Sequence, residues 1–307
     1  MIPDSGHAEN RLQGAGRNRH HALRFAVSTG RIDHMSIDYA TPGPLTTFDP
    51  SQLSIVNGLE RDPVALCRVA QGLVIPPDLA AAVGIPADRL GERNIRPANK
   101  MLAVILDLNA SSLDAPRAPV ERIVGTCRDF SVLSVSLMRA HGLRARSRCG
   151  FASYFKPPTF LDHWVTEYWR SEEQRWVRID SEILGLPFVS EPDDLKAGEF
   201  LSGGEAWMLC ARDGIDANLF GVDGVPENFG IGEVRGNAVR DLAAMNKLEM
   251  LPWDEWSRME LSYKNEAGAD FDRLIDTIAS TGAGNDPKMI EALYRTEDLA
   301  VPAKLVV

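Results

Sequence analysis

A cysteine that opens a helical run, followed by two aromatic strands joined through a short polar turn, limits what this chain can fold into more than any other feature. Gly125-Thr126-Cys127-Arg128-Asp129-Phe130 leads into Phe130, Leu133, Leu137 and His141, which recur along one helical face, and Gly142 ends the run. Thr126 suits an N-cap, which puts Cys127 in the first turn. The positive end of a helix favours anions, so the position predicts a thiol whose pKa is depressed. Gly125 predicts a close backbone approach, letting a substrate carbonyl reach the sulfur and the local N–H groups.

A nucleophilic cysteine needs a base. Arg144 to Tyr154 alternates and reads as the first strand of a sheet. Leu161 to Trp169, rich in aromatic and β-branched residues, reads as the next, with His163 near its start. After the polar turn Ser171 to Gln174, Arg175 to Asp180 reads as the antiparallel return strand, so His163 and Asp180 fall side by side at one end of the sheet. With the Cys127 helix packed over that end, Cys127 is the expected nucleophile. His163 is the expected acid/base, and Asp180 the group that holds the imidazole in the right tautomer.

The same residues carry a resemblance. G-T-C-R-D-F, L-M-R-A-H-G-L-R-A-R, D-H-W-V-T-E-Y-W and W-V-R-I-D, running from about Val120 to Ile183, resemble the transglutaminase-like superfamily of papain-fold cysteine enzymes. The resemblance implies an α+β fold in which a Cys-bearing helix packs on an antiparallel sheet carrying His and Asp, with added N- and C-terminal helices. It also implies that Cys127, His163 and Asp180 form the triad. Ser181 departs from the proline common after the Asp in that family, which touches the local turn only. Members of the superfamily cross-link proteins, cleave peptides, deglycosylate, or form amides on small acyl donors.

The rest of the chain bounds this reading. With 307 residues the chain has ample core for one large domain or two small ones, and 44% hydrophobic and 25% charged residues are ordinary for a globular protein. A net charge of −10 and a pI near 5.2 argue against nucleic acid or an anionic membrane as the main partner. No apolar run approaches a membrane span and no hydrophobic signal core opens the sequence, so a cytoplasmic location is expected. Cys67, Cys127, Cys149 and Cys210 are scattered with no CxxC pair, which suits free thiols. No cofactor is called for. No metal is expected either: His20-His21 has no third ligand at a useful spacing, and no D-x-D-x-D-G calcium loop is present.

The expected organisation is an N-terminal tail with short strands over 1–45, a catalytic core over 46–190, and a mainly helical extension over 191–307 packed on that core. Helices are expected from Asp62-Pro63, from Pro76-Pro77, over Asn99 to Leu108, after Ser202-Gly203-Gly204, over Ala238 to Leu251 with Asn237 as cap, after Trp253, and from Phe271 and Pro287. Asn94 reads as part of a solvated loop or a helix cap, with the side chain of an oxyanion hole as the alternative. Glu121 is not, because a carboxylate repels an oxyanion. Cys149 reads as a buried structural cysteine, and the loop from Lys156 to Thr159 as a wall of the substrate cleft. The expected activity is acyl transfer through a thioester acyl-enzyme on a peptide or small amide or thioester, to water or to an amine acceptor. The alternative is a catalytically inactive binding module using the same groove. The sequence does not indicate an oligomeric state.

Overall fold

Aspartate and proline set where the first helices begin. The computed structural model describes residues 37–296 and 299–306, all within the unit Met35–Val307. The tail, the strands expected before residue 37 and the His20-His21 pair lie outside the described residues; residues 37–45 form turns and extended chain. Helix α1 spans Pro50–Val56 and α2 spans Pro63–Leu73. Asp62 caps α2 by accepting the Ala65 N–H at 2.8 Å, with Pro63 in the first turn. The run after Pro76 makes only the single turn of α3, Pro77–Ala80, and α4 follows at Ala98–Leu108. Two-residue strands β1 (Val74–Ile75) and β2 (Ile123–Val124) pair in parallel just ahead of the cysteine helix.

That helix, α5 (Cys127–Ala140), is buried on all sides from Arg128 to Arg139, whereas its periodicity predicts an amphipathic helix with one wet face. The polar residues are accommodated individually. Ser134 and Ser136 donate to the carbonyls four residues back, at 2.7 Å each, and Ser131 donates to the Val165 carbonyl at 2.9 Å. The guanidinium of Arg128 is spent on the carbonyls of Glu249 and Arg96 and on Asp129, and that of Arg139 on Glu249, Thr46 and the Ala145 carbonyl. On its apolar side Phe130, Leu133, Leu137 and Met138 join Leu66, Leu73, Leu102 and Ile105 of α2 and α4 in one core, each such side chain contributing about 1.5–3 kcal/mol by leaving water.

The sheet is built around β3 (Ala145–Ala152) and β4 (Phe160–Arg170), which run antiparallel with Gly150 opposite His163 and Cys149 opposite Trp164. Strand β5 (Arg175–Ile179) returns antiparallel along β4, with Thr166 opposite Ile179, which leaves Asp180 one residue past the strand. Three further strands come from beyond residue 190: β6 (Phe200–Ser202) pairs with β3, β7 (Phe220–Val222) runs parallel to β4, and β8 (Val225–Phe229) pairs with β7. The C-terminal third therefore completes the sheet as well as adding helices.

Those helices are α6 (Gly203–Asp213), α7 (Ile231–Met245), α8 (Met259–Tyr263), α9 (Ala269–Gly284), α10 (Pro287–Tyr294) and α11 (Ala303–Val306). Ser202 caps α6 as its spacing to Glu205 predicts. Helix α7 does not begin at Asn237. It begins seven residues earlier, after Gly230, whose φ of 106° makes the turn. Asn237 lies mid-helix and fully buried, its amide donating to Asp162 and to the Gly150 carbonyl instead of capping. The segment after Trp253 forms turns, because the Trp256 indole is anchored to the Leu299 carbonyl, and helix resumes only at Met259. Among the described residues no helix is long and apolar enough to cross a membrane.

Candidate active site

Cys127 is the first residue of α5, with Thr126 as N-cap in an extended conformation. The cap is held from the third helical position: Asp129 accepts the Thr126 N–H at 2.8 Å, and its own charge is met by Arg128 at 2.9 Å. Gly125 is closely approached, and the groups that approach it belong to the chain itself. A Cβ there would come within 2.9 Å of the Asp129 Cβ and of a Val74 methyl, so the glycine lets β1, β2 and the cap pack together. What it provides is a fixed position for the cysteine.

His163 and Asp180 meet where β4 and β5 diverge. His163 Nε2 lies 2.8 Å from Asp180 Oδ2, and the two side chains are 3% and 1% exposed. The same oxygen accepts the hydroxyl of Tyr154 at 2.5 Å, while Oδ1 accepts the backbone N–H of Glu182 at 3.0 Å. With Nε2 engaged by the carboxylate, Nδ1 is the ring nitrogen left for the sulfur. The aromatic wall beside the imidazole is Phe155, 5.0 Å from it ring to ring, backed at 5.2 Å by Phe188, which is 44% exposed.

The thiol and the imidazole are close enough to shift one another's proton affinity. Burial pushes the Cys127 thiol up to about 11, and its hydrogen bond and attraction to His163 pull the other way without overcoming it. Asp162 and Glu182 add to the upward push. The depressed thiol expected from the helix terminus is thus corrected: desolvation outweighs the end of α5. Burial also works against a charged His163, but Asp180 and then Cys127 more than offset it and hold the imidazole well above its ordinary value. Glu182, held in the same desolvated neighbourhood, is pushed up to about 7, and Asp162 to about 6, with Glu233 adding to the effect of burial.

The structure brings Cys127, His163 and Asp180 together, and leaves several other candidates elsewhere. Asn94 ends an exposed 3-10 turn and donates to the Gly91 carbonyl, a local cap. Glu121 is spent on the Ala118 N–H. Cys149 is fully buried, its thiol donating to the Asn237 side chain, yet it packs in the same small cluster as Cys127 and Trp164. Ser181 hydrogen-bonds Ser134 of α5, so the serine ties the turn after Asp180 to the cysteine helix. Tyr154 and Glu182 are the hydrogen-bond partners of Asp180 that the sequence did not point to. Tyr154 lies just past the end of β3, and only its register marks it, since it continues the strand opposite the residues before His163.

Residues 106–181 match the family model of the transglutaminase-like superfamily, about a quarter of the chain. No curated protein matches the chain. A solved structure of a candidate cysteine protease from Cytophaga hutchinsonii aligns over 52% of this chain and 51% of its own, with 20% identity and a TM-score of 0.19, so the chain spans about half the length of that protein. The matched segment begins in α4 and ends one residue past Asp180, taking in the helix and the hairpin described above, and over that segment the chain is similar to the transglutaminase-like superfamily.

Proposed function

We propose that the protein is a cysteine-dependent acyl-transfer enzyme in which Cys127, His163 and Asp180 are the nucleophile, the acid/base and the orienting carboxylate. The observation that carries this reading is the buried 2.8 Å contact between His163 and Asp180 beside a cysteine at a helix start. The sulfur loses its proton to Nδ1 and attacks a carboxamide or thioester carbonyl, forming a C–S bond. The oxyanion lies toward the N–H groups of Cys127 and Arg128 at the start of α5, since those of Asp129 and Phe130 are taken by the Thr126 carbonyl. The imidazolium returns the proton to the departing amine or thiol as its bond to carbon breaks, leaving a thioester on Cys127. Water or an amine then attacks that thioester, with His163 taking the incoming proton and returning one to sulfur.

Burial keeps the Cys127 thiol protonated until attack, and the raised proton affinity of His163 makes its imidazole the stronger base that then takes the proton. Phe155 and the exposed Phe188 supply an apolar wall for the acyl donor next to the imidazole. The test is incubation with a glutaminyl peptide and with a small thioester, each with and without a primary amine. Covalent mass gain on Cys127 followed by release of acid or amide supports the reading, and the ratio of amide to acid assigns transfer or hydrolysis. Cys127→Ala must abolish both. Turnover that survives Cys127→Ala would leave a folded binding module as the better description.

A further inference from the structure

A cavity of about 960 Å³ lies apart from the thiol site, and none of Cys127, His163 or Asp180 lines it. It opens between the strand residues of β3, β4 and β5 and one side of α6 and α9. Its strand wall carries the guanidinium groups of Arg144, Arg146, Arg148 and Arg178. Two more cations on the lining are matched from nearby, Arg175 by Asp194 at 2.5 Å and Lys196 by Glu191.

Three carboxylates meet three of the four guanidiniums. Glu167 bridges Arg146, Arg148 and Arg178, Asp241 takes Arg148 through both of its oxygens, at 2.9 and 2.8 Å, and Glu205 takes Arg178 at 3.0 Å. A positive charge is left over, in a chain whose net charge is −10. Two groups show where the excess sits. Arg146 is 1% exposed, and its Nη1 is buried without an acceptor although its other nitrogens bond Glu167 and Asn285. Arg144 is exposed at the rim and lies over the indoles of Trp169 and Trp176, at 5.0 and 5.8 Å, with no carboxylate partner among the described residues. A buried guanidinium nitrogen without an acceptor is costly, and an oxyanion is the group that would relieve it. The opposite wall is apolar, with Met208 and Leu209 of α6 and Ile278 of α9.

We infer that this cavity is a ligand site for an amphipathic small molecule bearing a carboxylate or phosphate head, the head meeting Arg144 and Arg146 and the body resting on Met208 and Ile278. The volume is that of a small-molecule site and far exceeds what a bare inorganic ion fills.

The test uses the full chain and four probes: octanoate, n-octyl phosphate, inorganic phosphate and octylammonium, titrated by calorimetry and by the fluorescence of Trp169 and Trp176. Octanoate or octyl phosphate is expected to bind with a Kd below about 1 mM, octylammonium not at all, and inorganic phosphate more weakly than either octyl anion. The preference between octanoate and octyl phosphate assigns the head group. Arg144→Gln, at an exposed position outside the core, is expected to weaken binding at least about tenfold, the loss of one charge-assisted contact. Arg146→Gln, checked for folding by circular dichroism, should do the same. Alkylating Cys127 should leave binding unchanged. Equal binding of octylammonium and octanoate would overturn the assignment. So would unaltered affinity in Arg144→Gln, loss of binding on alkylation of Cys127, or the absence of binding by both octyl anions.

Discussion

Replacing Asp180 by Asn keeps the shape of the side chain and removes its charge, and the consequence can be worked out from its three donors. Oδ2 accepts His163 Nε2 at 2.8 Å and the Tyr154 hydroxyl at 2.5 Å, and Oδ1 accepts the Glu182 N–H at 3.0 Å. An asparagine has one carbonyl oxygen. If that oxygen takes the Oδ2 position, its NH2 faces the Glu182 N–H, donor against donor; if it takes the Oδ1 position, the NH2 faces both Tyr154 and His163. Either way at least one buried donor is unsatisfied, at about 1–3 kcal/mol, independent of pH. The second part is the lost ion pair. His163 and Asp180 are 3% and 1% exposed, so solvent screens the pair little, and removing one partner of such a pair brings the total to about 3–5 kcal/mol.

The ion-pair part depends on pH with a definite sign. The folded-state pKa of His163 is raised, after the opposing effect of burial, chiefly by Asp180. Its stabilisation is therefore fully present below the unfolded-state value of about 6.5 and is lost as pH rises through the higher folded-state value. Urea unfolding of the wild type and Asp180→Asn at pH 6 and pH 10 is expected to show the larger gap at pH 6, shrinking at pH 10 to the donor-mismatch part. Turnover is expected to fall by at least about a hundredfold at either pH, because the imidazole loses the group that fixes its tautomer. A stability gap that stays constant or widens with pH would refute the ion-pair reasoning, and unchanged turnover would refute the role of Asp180.

Three further outcomes follow from the same site. His163→Ala removes both influences that lower the Cys127 pKa, so iodoacetamide labelling of that thiol at pH 8 should slow several-fold; faster labelling would contradict the assigned interaction. Glu182 titrates near 7 and its charge raises the Cys127 pKa, so Glu182→Gln should speed labelling above pH 7 and leave it unchanged below, with superimposable pH profiles counting against it. The same substitution should raise stability at pH 8, where the buried carboxylate is charged, and do little at pH 5. Gly125→Ala places a Cβ within 2.9 Å of Asp129 and Val74, so it should cost about 1–3 kcal/mol by overpacking and reduce kcat through a displaced cysteine; an alanine variant with wild-type stability and rate would sink that account.

The elements that hold the site were legible because their signals are local. Thr126 with Asp129 three residues on is a complete helix start, and the alternation from Leu161 to Trp169 followed by a polar turn is a complete hairpin. From those alone Cys127, His163 and Asp180 could be brought to one end of the sheet. Tertiary contacts were harder. Asn237 looks like a cap by residue type, but its amide serves Asp162 and Gly150, while Gly230, seven residues earlier, begins the turn. Ser131, Ser134 and Ser136 made α5 look half-wet, and only the carbonyls they reach show that the helix is enclosed. Tyr154 reaches Asp180 across the end of the sheet, a contact with no spacing rule in the sequence.

The cysteine itself shows why position on a helix is not enough to read reactivity. A helix terminus is worth about 0.3–1 kcal/mol to a charge, up to about 2 when partly buried. Burial moves the Cys127 thiol from its model-compound value of 9.0 to about 11, a net effect of roughly 3 kcal/mol at 1.36 per pKa unit, even after His163 has pulled against it. The larger quantity wins, and it is set by how the chain packs from residues as distant as Asp162 and Glu182. In the proposed enzyme the thiolate must then be made during the reaction, by proton transfer to an imidazole that Asp180 holds ready to accept it. On that proposal the competence of Cys127 resides in the pair across the helix–sheet boundary, and neither element would confer it alone.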